Sequence, residues 1–132
     1  MILIVDDDHD IASLIKISLD KAGFFTSAFI DPLAALEEFS SHPDKYGLLI
    51  SDIKMPGIDG YELAEQVKKI NSGIKILLTS AYERSSQHFA KDISHLDIAG
   101  FIEKPISMAQ LCKVVHTVIN NKPLEYGSDV YL

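Results

Sequence analysis

The chain reads as an α/β protein, a doubly wound five-stranded parallel sheet in strand order 2-1-3-4-5. Three observations predict this. Five short apolar runs recur along 132 residues, and three of them are almost continuously hydrophobic, as strands covered on both faces must be. Helical periods fall between and after the runs, giving a (βα)5 succession. Strict alternation of that kind builds crossover connections and an open sheet, for which 2-1-3-4-5 is a common five-stranded order.

The first strand is "ILIV", residues 2–5, and a helical stripe of Ile11, Leu14, Ile15, Leu19 and Ala22 follows, stopping at Gly23 as a left-handed cap. "FFTSAF" (24–29) is the second strand. Asp31 as N-cap and Pro32 in the first turn open a helix carrying Ala35, Leu36 and Phe39. "LLIS" (48–51) is the third strand, succeeded by a helix with Leu63, Ala64, Val67 and Ile70 that ends near Asn71 and Gly73. "IKILLTS" (74–80) precedes a weaker helical pattern at Phe89, Ile93 and Leu96. "IAGFI" (98–102) precedes a clear one at Leu111, Val114, Val115, Val118 and Ile119. No repeat or second domain is evident. Residues 1–122 are expected to form one domain and 123–132 a C-terminal tail, read as a frayed terminus in preference to a docking segment.

Composition narrows the function class. Apolar residues make up 47% and charged residues 23% of the chain, as in ordinary globular proteins. No apolar run approaches the ~20 residues that cross a bilayer, and "MILIV" gives way at once to "DDDHD", which a secretory signal does not tolerate. A cytoplasmic location is the expectation. The net charge of −7 argues against direct binding of nucleic acid, which needs clustered lysine and arginine. The single cysteine, Cys112, lies in an apolar helical pattern and reads as a near-core residue. His9, His42, His88, His95 and His116 show no metal-ligand spacing.

Chemistry concentrates at strand ends. Open α/β sheets bind ligands beyond the carboxyl ends of their strands at the topological switch point, here between strands one and three. Those ends carry Asp6, Asp7 and Asp52. Converging carboxylates raise one another's pKa unless a cation sits among them, and an all-oxygen set suits a hard divalent ion, Mg2+. With room left in its shell for a phosphate oxygen, Asp52 could act as a nucleophile toward a phosphoryl group. The phosphoryl oxygens then need donors and positive charge. Strand four ends in "TSA" with Ser80, and strand five ends in "EKP" with Lys104, whose bond to Pro105 is a candidate cis peptide. Taken singly, Asp6 and Asp7 could equally be helix N-caps and Lys104 a turn lysine. Their joint placement at four strand ends carries the reading.

"ILIVDDD", "LLISDIKMPGIDG", "LLTSAY" and "GFIEKP" together resemble, in order, the sequence blocks of the receiver domains of two-component response regulators, over about residues 2–121. The resemblance implies a flavodoxin-like fold of the chemotaxis-regulator, single-domain type. It implies Asp52 as phosphoacceptor, Asp7 as direct Mg2+ ligand, Asp6 as its partner and the Lys54 backbone carbonyl as a further ligand. It also implies Ser80 and Lys104 as phosphoryl-binding groups and Phe101 as the aromatic that turns inward when Ser80 moves. Lys54 and Tyr82 match positions that tune dephosphorylation. Serine stands at 80 where threonine is commoner, which leaves neighbouring Thr79 as an alternative reading of the register. Phenylalanine at 101 has no hydroxyl to report its state.

The implied function is a phosphorylation-dependent switch that catalyses only its own phosphorylation and dephosphorylation. Its implied partners are a histidine kinase or phosphotransfer protein and a downstream target, with the chain a monomer or a phosphorylation-dependent dimer. A receiver-like docking module without phosphorylation, or the receiver part of a longer regulator, are the alternatives. A haloacid-dehalogenase-type phosphatase is disfavoured because Lys54 occupies the place of its second aspartate. A flavodoxin-type redox protein is disfavoured because "DDDHD" would repel a flavin phosphate, and the G-x-G-x-x-G of dinucleotide-binding domains is missing.

Overall fold

Parallel ladders hold the sheet in the predicted order. The computed structural model describes residues 1–81 and 94–120, with residues 130–131 as a strand. Its strands are β1 (Ile2–Val5), β2 (Thr26–Phe29), β3 (Leu48–Asp52), β4 (Lys75–Ser80), β5 (Gly100–Glu103) and β6 (Val130–Tyr131). Its helices are α1 (His9–Lys21), α2 (Pro32–Ser41), α3 (Gly60–Ile70) and α4 (Met108–Ile119), with 3-10 turns at Pro43–Lys45 and Ser94–Leu96. The sheet order is β2-β1-β3-β4-β5-β6, the first five strands parallel.

Alternation along each strand divides the core into two layers. Ile2, Ile4, Ile50, Leu77 and Ile102 face α1 and α4, meeting Ile15 and Leu19 from the first helix and Leu111, Val114, Val115 and Val118 from the second. Leu3, Val5, Leu49, Ile76, Leu78 and Phe101 face the other way, against Ala35 and Phe39 of α2 and Leu63, Ala64 and Val67 of α3. Burying both faces explains why β1 and β3 read as unbroken apolar runs. Among the described residues, no helix is long and apolar enough to cross a membrane.

Several local expectations hold at residue level. Asp31 caps α2 by accepting from the Leu33 amide, with Pro32 in its first turn. Gly23 takes φ +96° just past α1, and the Lys104–Pro105 bond is cis. Cys112 is half-buried, its thiol pushed up by burial.

Others are corrected. The second strand starts at Thr26, because Phe24 still bonds back to Leu19 and Phe25 is 78% exposed. Leu14 is not on the buried stripe of α1; it is 49% exposed, and Ala12, Ile15 and Leu19 form the stripe. The tail adds a sixth strand, antiparallel to β5, pairing Tyr131 with Phe101 and Val130 with Ile102. A two-residue strand leaves no periodic signal in sequence, yet it satisfies backbone groups that β5 would otherwise present as an open edge. The helix expected at Phe89 and Ile93 falls outside the described residues, and Leu96 is buried in a 3-10 turn.

The β3–α3 junction is what aims the end of β3. Gly57 adopts φ +86°, a left-handed turn that favours glycine. The Gly60 amide donates to the Ile53 carbonyl at 2.7 Å, bringing the first turn of α3 against the end of the strand. A Cβ on Gly60 would collide with the Asp52 carbonyl and stand 2.8 Å from Ile53 Cα. Gly60→Ala should therefore cost about 1–3 kcal/mol of stability, read by urea denaturation, although alanine is ordinarily the better helix former. A variant as stable as the parent would show that this contact does not constrain the fold.

Candidate functional site

Asp6 continues β1 by one residue, its amide donating to the Phe29 carbonyl of β2, and its side chain is only 1% exposed. Both of its oxygens are held. Oδ1 accepts from the Asp8 amide at 2.9 Å, and Oδ2 accepts from Lys104 Nζ at 2.9 Å. Asp8 in turn is the N-cap of α1, accepting from the Asp10 and Ile11 amides. The capping alternative for Asp6 and Asp7 is thus corrected: the cap is the third aspartate of the run. This frees Asp6 and Asp7 for the site. Sequence did not single it out, since Asp10 stands nearer the apolar period and lies in the first turn of the helix.

Asp52 closes β3, buried, with Lys104 Nζ 3.3 Å from its Oδ2. Lys104 follows β5, so its side chain crosses the end of β4 to reach carboxylates on β3 and β1. Asp7 is exposed at the rim. Oxygens of Asp6, Asp7 and Asp52 all lie within 4.8 Å of one another. Three carboxylates and one ammonium leave two negative charges uncompensated. That imbalance, together with an all-oxygen donor set, suits a hard divalent cation.

The charges behave accordingly. Burial foremost, with the Asp6 and Asp7 charges adding to it and Lys104 opposing, pushes the Asp52 carboxyl up to about 6. Burial alone would depress the Lys104 ammonium, but its hydrogen bond to Asp6 and the charge of Asp52 outweigh that and raise it.

Ser80 is buried at the end of β4, where its carbonyl accepts from the Lys104 amide at 2.7 Å. Phe101 is 8% exposed and belongs to the core cluster on the α2–α3 side. Lys54 is exposed, two residues past Asp52. Tyr82 lies outside the described residues.

The family model "Response regulator receiver domain" matches residues 2–116. The chain belongs to the response regulator receiver family. It is 30% identical over 118 residues to the transcriptional regulatory protein FixJ of Bradyrhizobium diazoefficiens, covering 89% of this chain and 56% of FixJ. It is 31% identical over 115 residues to sporulation initiation phosphotransferase F of Bacillus subtilis, covering 78% of this chain and 90% of that protein. The chain therefore spans about half the length of FixJ. Its fold matches a CheY-like receiver domain of Methanospirillum hungatei with a TM-score of 0.81 and 25% identity, over 91% of this chain and 93% of that one. Receiver domains are phosphoacceptor switches, and phosphorylation-dependent signalling is the function of the family.

For this receiver the raised Asp52 pKa fixes a sign. The folded state binds the Asp52 proton more tightly than the unfolded chain, whose carboxyl titrates at the ordinary 3.8. The stability this confers is full below about pH 4 and is lost as pH rises through about 6. In chelator, Asp52→Asn should lose less stability than the parent between pH 4 and 8 and exceed it at pH 8 by a few kcal/mol, measured by denaturant unfolding. A difference between the two that does not change with pH would contradict the raised value.

Proposed function

We propose that Asp52 is the phosphoacceptor and that Asp6, Asp7, Asp52 and the backbone carbonyl of Lys54 hold Mg2+ beside it. In this reading residues 1–122 are the receiver and 123–132 its tail. They act in cytoplasmic signalling that takes phosphate from a histidine kinase or phosphotransfer protein and passes state to a separate target. The observation that carries the reading is the Lys104 ammonium, held against Asp52 and Asp6 within a cluster of three carboxylates.

The step balances simply. An Asp52 oxygen attacks the phosphorus of a phosphohistidine, the new P–O bond forms as the P–N bond breaks, and the imidazole leaves with a proton from solvent. Mg2+ held by Asp6, Asp7, Asp52 and the Lys54 carbonyl would supply positive charge to neutralise the phosphoryl oxygens. Lys104 is already desolvated and aimed, so it meets developing charge on a phosphoryl oxygen with little reorganisation. Asp6 cannot swing away as this happens, because the Asp8 amide fixes its other oxygen. Ser80 is the hydroxyl donor from β4. The product carries about −1.5 to −2 charges, which draws Ser80 and the lysine toward it and biases the packing around Phe101. The ring of Phe101 lies inward in this structure, 8% exposed, the position that the switch would favour.

Incubation with a small phosphodonor such as acetyl phosphate and Mg2+ should add one phosphoryl group, read by intact mass. Asp52→Asn or chelation of Mg2+ should abolish it. Label that persists in Asp52→Asn would refute the assignment. Because Asp52 holds its proton up to about pH 6, Mg2+ affinity measured calorimetrically should fall as pH is lowered through that value. Affinity that does not vary between pH 5 and 8 would place the cation elsewhere.

A further inference from the structure

Among the described residues, one buried side-chain oxygen has no hydrogen-bond partner: Oγ1 of Thr79, on a residue 1% exposed. A hydroxyl left unpaired in the interior costs the fold stability, and its retention calls for a reason. The other hydroxyls buried in the sheet fare differently. Ser51 donates to the Asp52 carbonyl, and Thr26 donates to Asp20.

Register places the unpaired hydroxyl. Thr79 pairs with Asp52 on β3 and with Ile102 on β5. Paired residues of adjacent strands carry their side chains on the same face, about 4.8 Å apart. Thr79 therefore shares the face of Asp52, one strand over. On its other side β5 leads from Ile102 to Lys104, whose ammonium crosses the end of β4 to reach Asp52 and Asp6.

We propose that Thr79 is a second hydroxyl donor to the phosphoryl group, in addition to Ser80. While Asp52 is a bare carboxylate engaged by Lys104, Thr79 Oγ1 has no acceptor. A phosphoryl group on Asp52 brings three strong acceptor oxygens into the space beside it, and a staggered rotation about χ1 lets Oγ1 donate to one of them. No covalent bond changes at Thr79; its hydroxyl hydrogen remains on oxygen and is shared. The inference rests on Asp52 as phosphoacceptor and deepens it. The unloaded fold carries the unsatisfied group, and the loaded state recovers it.

Thr79→Val tests this, because valine keeps the shape and removes only the hydroxyl. Two quantities are read on the full chain in Mg2+: the melting temperature without phosphoryl mimic, and the affinity for beryllium fluoride as that mimic. The expected result is opposite in sign. The unloaded variant melts higher by roughly 3 °C, while its beryllium fluoride affinity falls about tenfold. Thr79→Ser should keep most of the affinity. An unchanged affinity in Thr79→Val, with the parent binding normally, overturns the role of Thr79 and leaves Asp52 standing. A lower melting temperature in the unloaded variant also overturns it, since the hydroxyl would then already have a partner such as a buried water. If the parent itself fails to bind beryllium fluoride, the Asp52 assignment falls and this inference with it.

Discussion

One ammonium group ties the carboxyl ends of three strands together. Lys104 leaves β5, passes over β4 and ends between the carboxylates of Asp52 on β3 and Asp6 at the end of β1. It is 13% exposed, and Asp6 is 1% exposed, so both groups have given up most of their water. Such a pair stabilises little by itself, because its attraction is spent against desolvation. What it does is specify geometry: losing either partner would leave a buried charge uncompensated, so the strand ends hold one arrangement. It also leaves the cluster short of positive charge, and that deficit makes the notch receptive to a divalent cation and a phosphoryl group.

The scaffold works to keep this notch in place rather than to form it afresh on binding. Two core layers grip the sheet from both faces and fix the height at which each strand ends. Asp8 caps α1 and lends its own amide to Asp6. Gly60 allows α3 to approach the end of β3 so closely that a methyl group has no room. Together these devices hold oxygens of three carboxylates within 4.8 Å despite their repulsion. Preorganised charge of this kind is what phosphoryl transfer needs, since the protein contributes position and electrostatics more than covalent chemistry.

Such arrangement has a cost within the unloaded fold. Asp52 is charged at neutral pH against the preference of its surroundings, and Thr79 keeps a buried hydroxyl without a partner. Both defects sit at paired positions on adjacent strands. Functional sites commonly violate the rules that the rest of a fold obeys, with the surrounding core making up the difference. Away from the site, hydroxyls and caps are satisfied in the ordinary way, as Thr26 and Asp31 illustrate.

The strand order, the layering and the residues at the strand ends were legible in sequence because each rests on a local pattern. Two-sided burial writes itself as continuous apolar runs, helix starts as Asp31 with Pro32, and a left-handed stop as Gly23. Putting Asp6, Asp7, Asp52, Ser80 and Lys104 at the ends of their strands then followed from topology. The tertiary structure alone decided which of three consecutive aspartates caps α1, that Leu14 faces outward, and that two tail residues extend the sheet along β5. It also decided that Thr79 rather than Ser80 stands level with Asp52. These depend on how strands are staggered and what lies across from each residue, and a one-residue change in register moves a side chain to the opposite face without altering the sequence pattern at all.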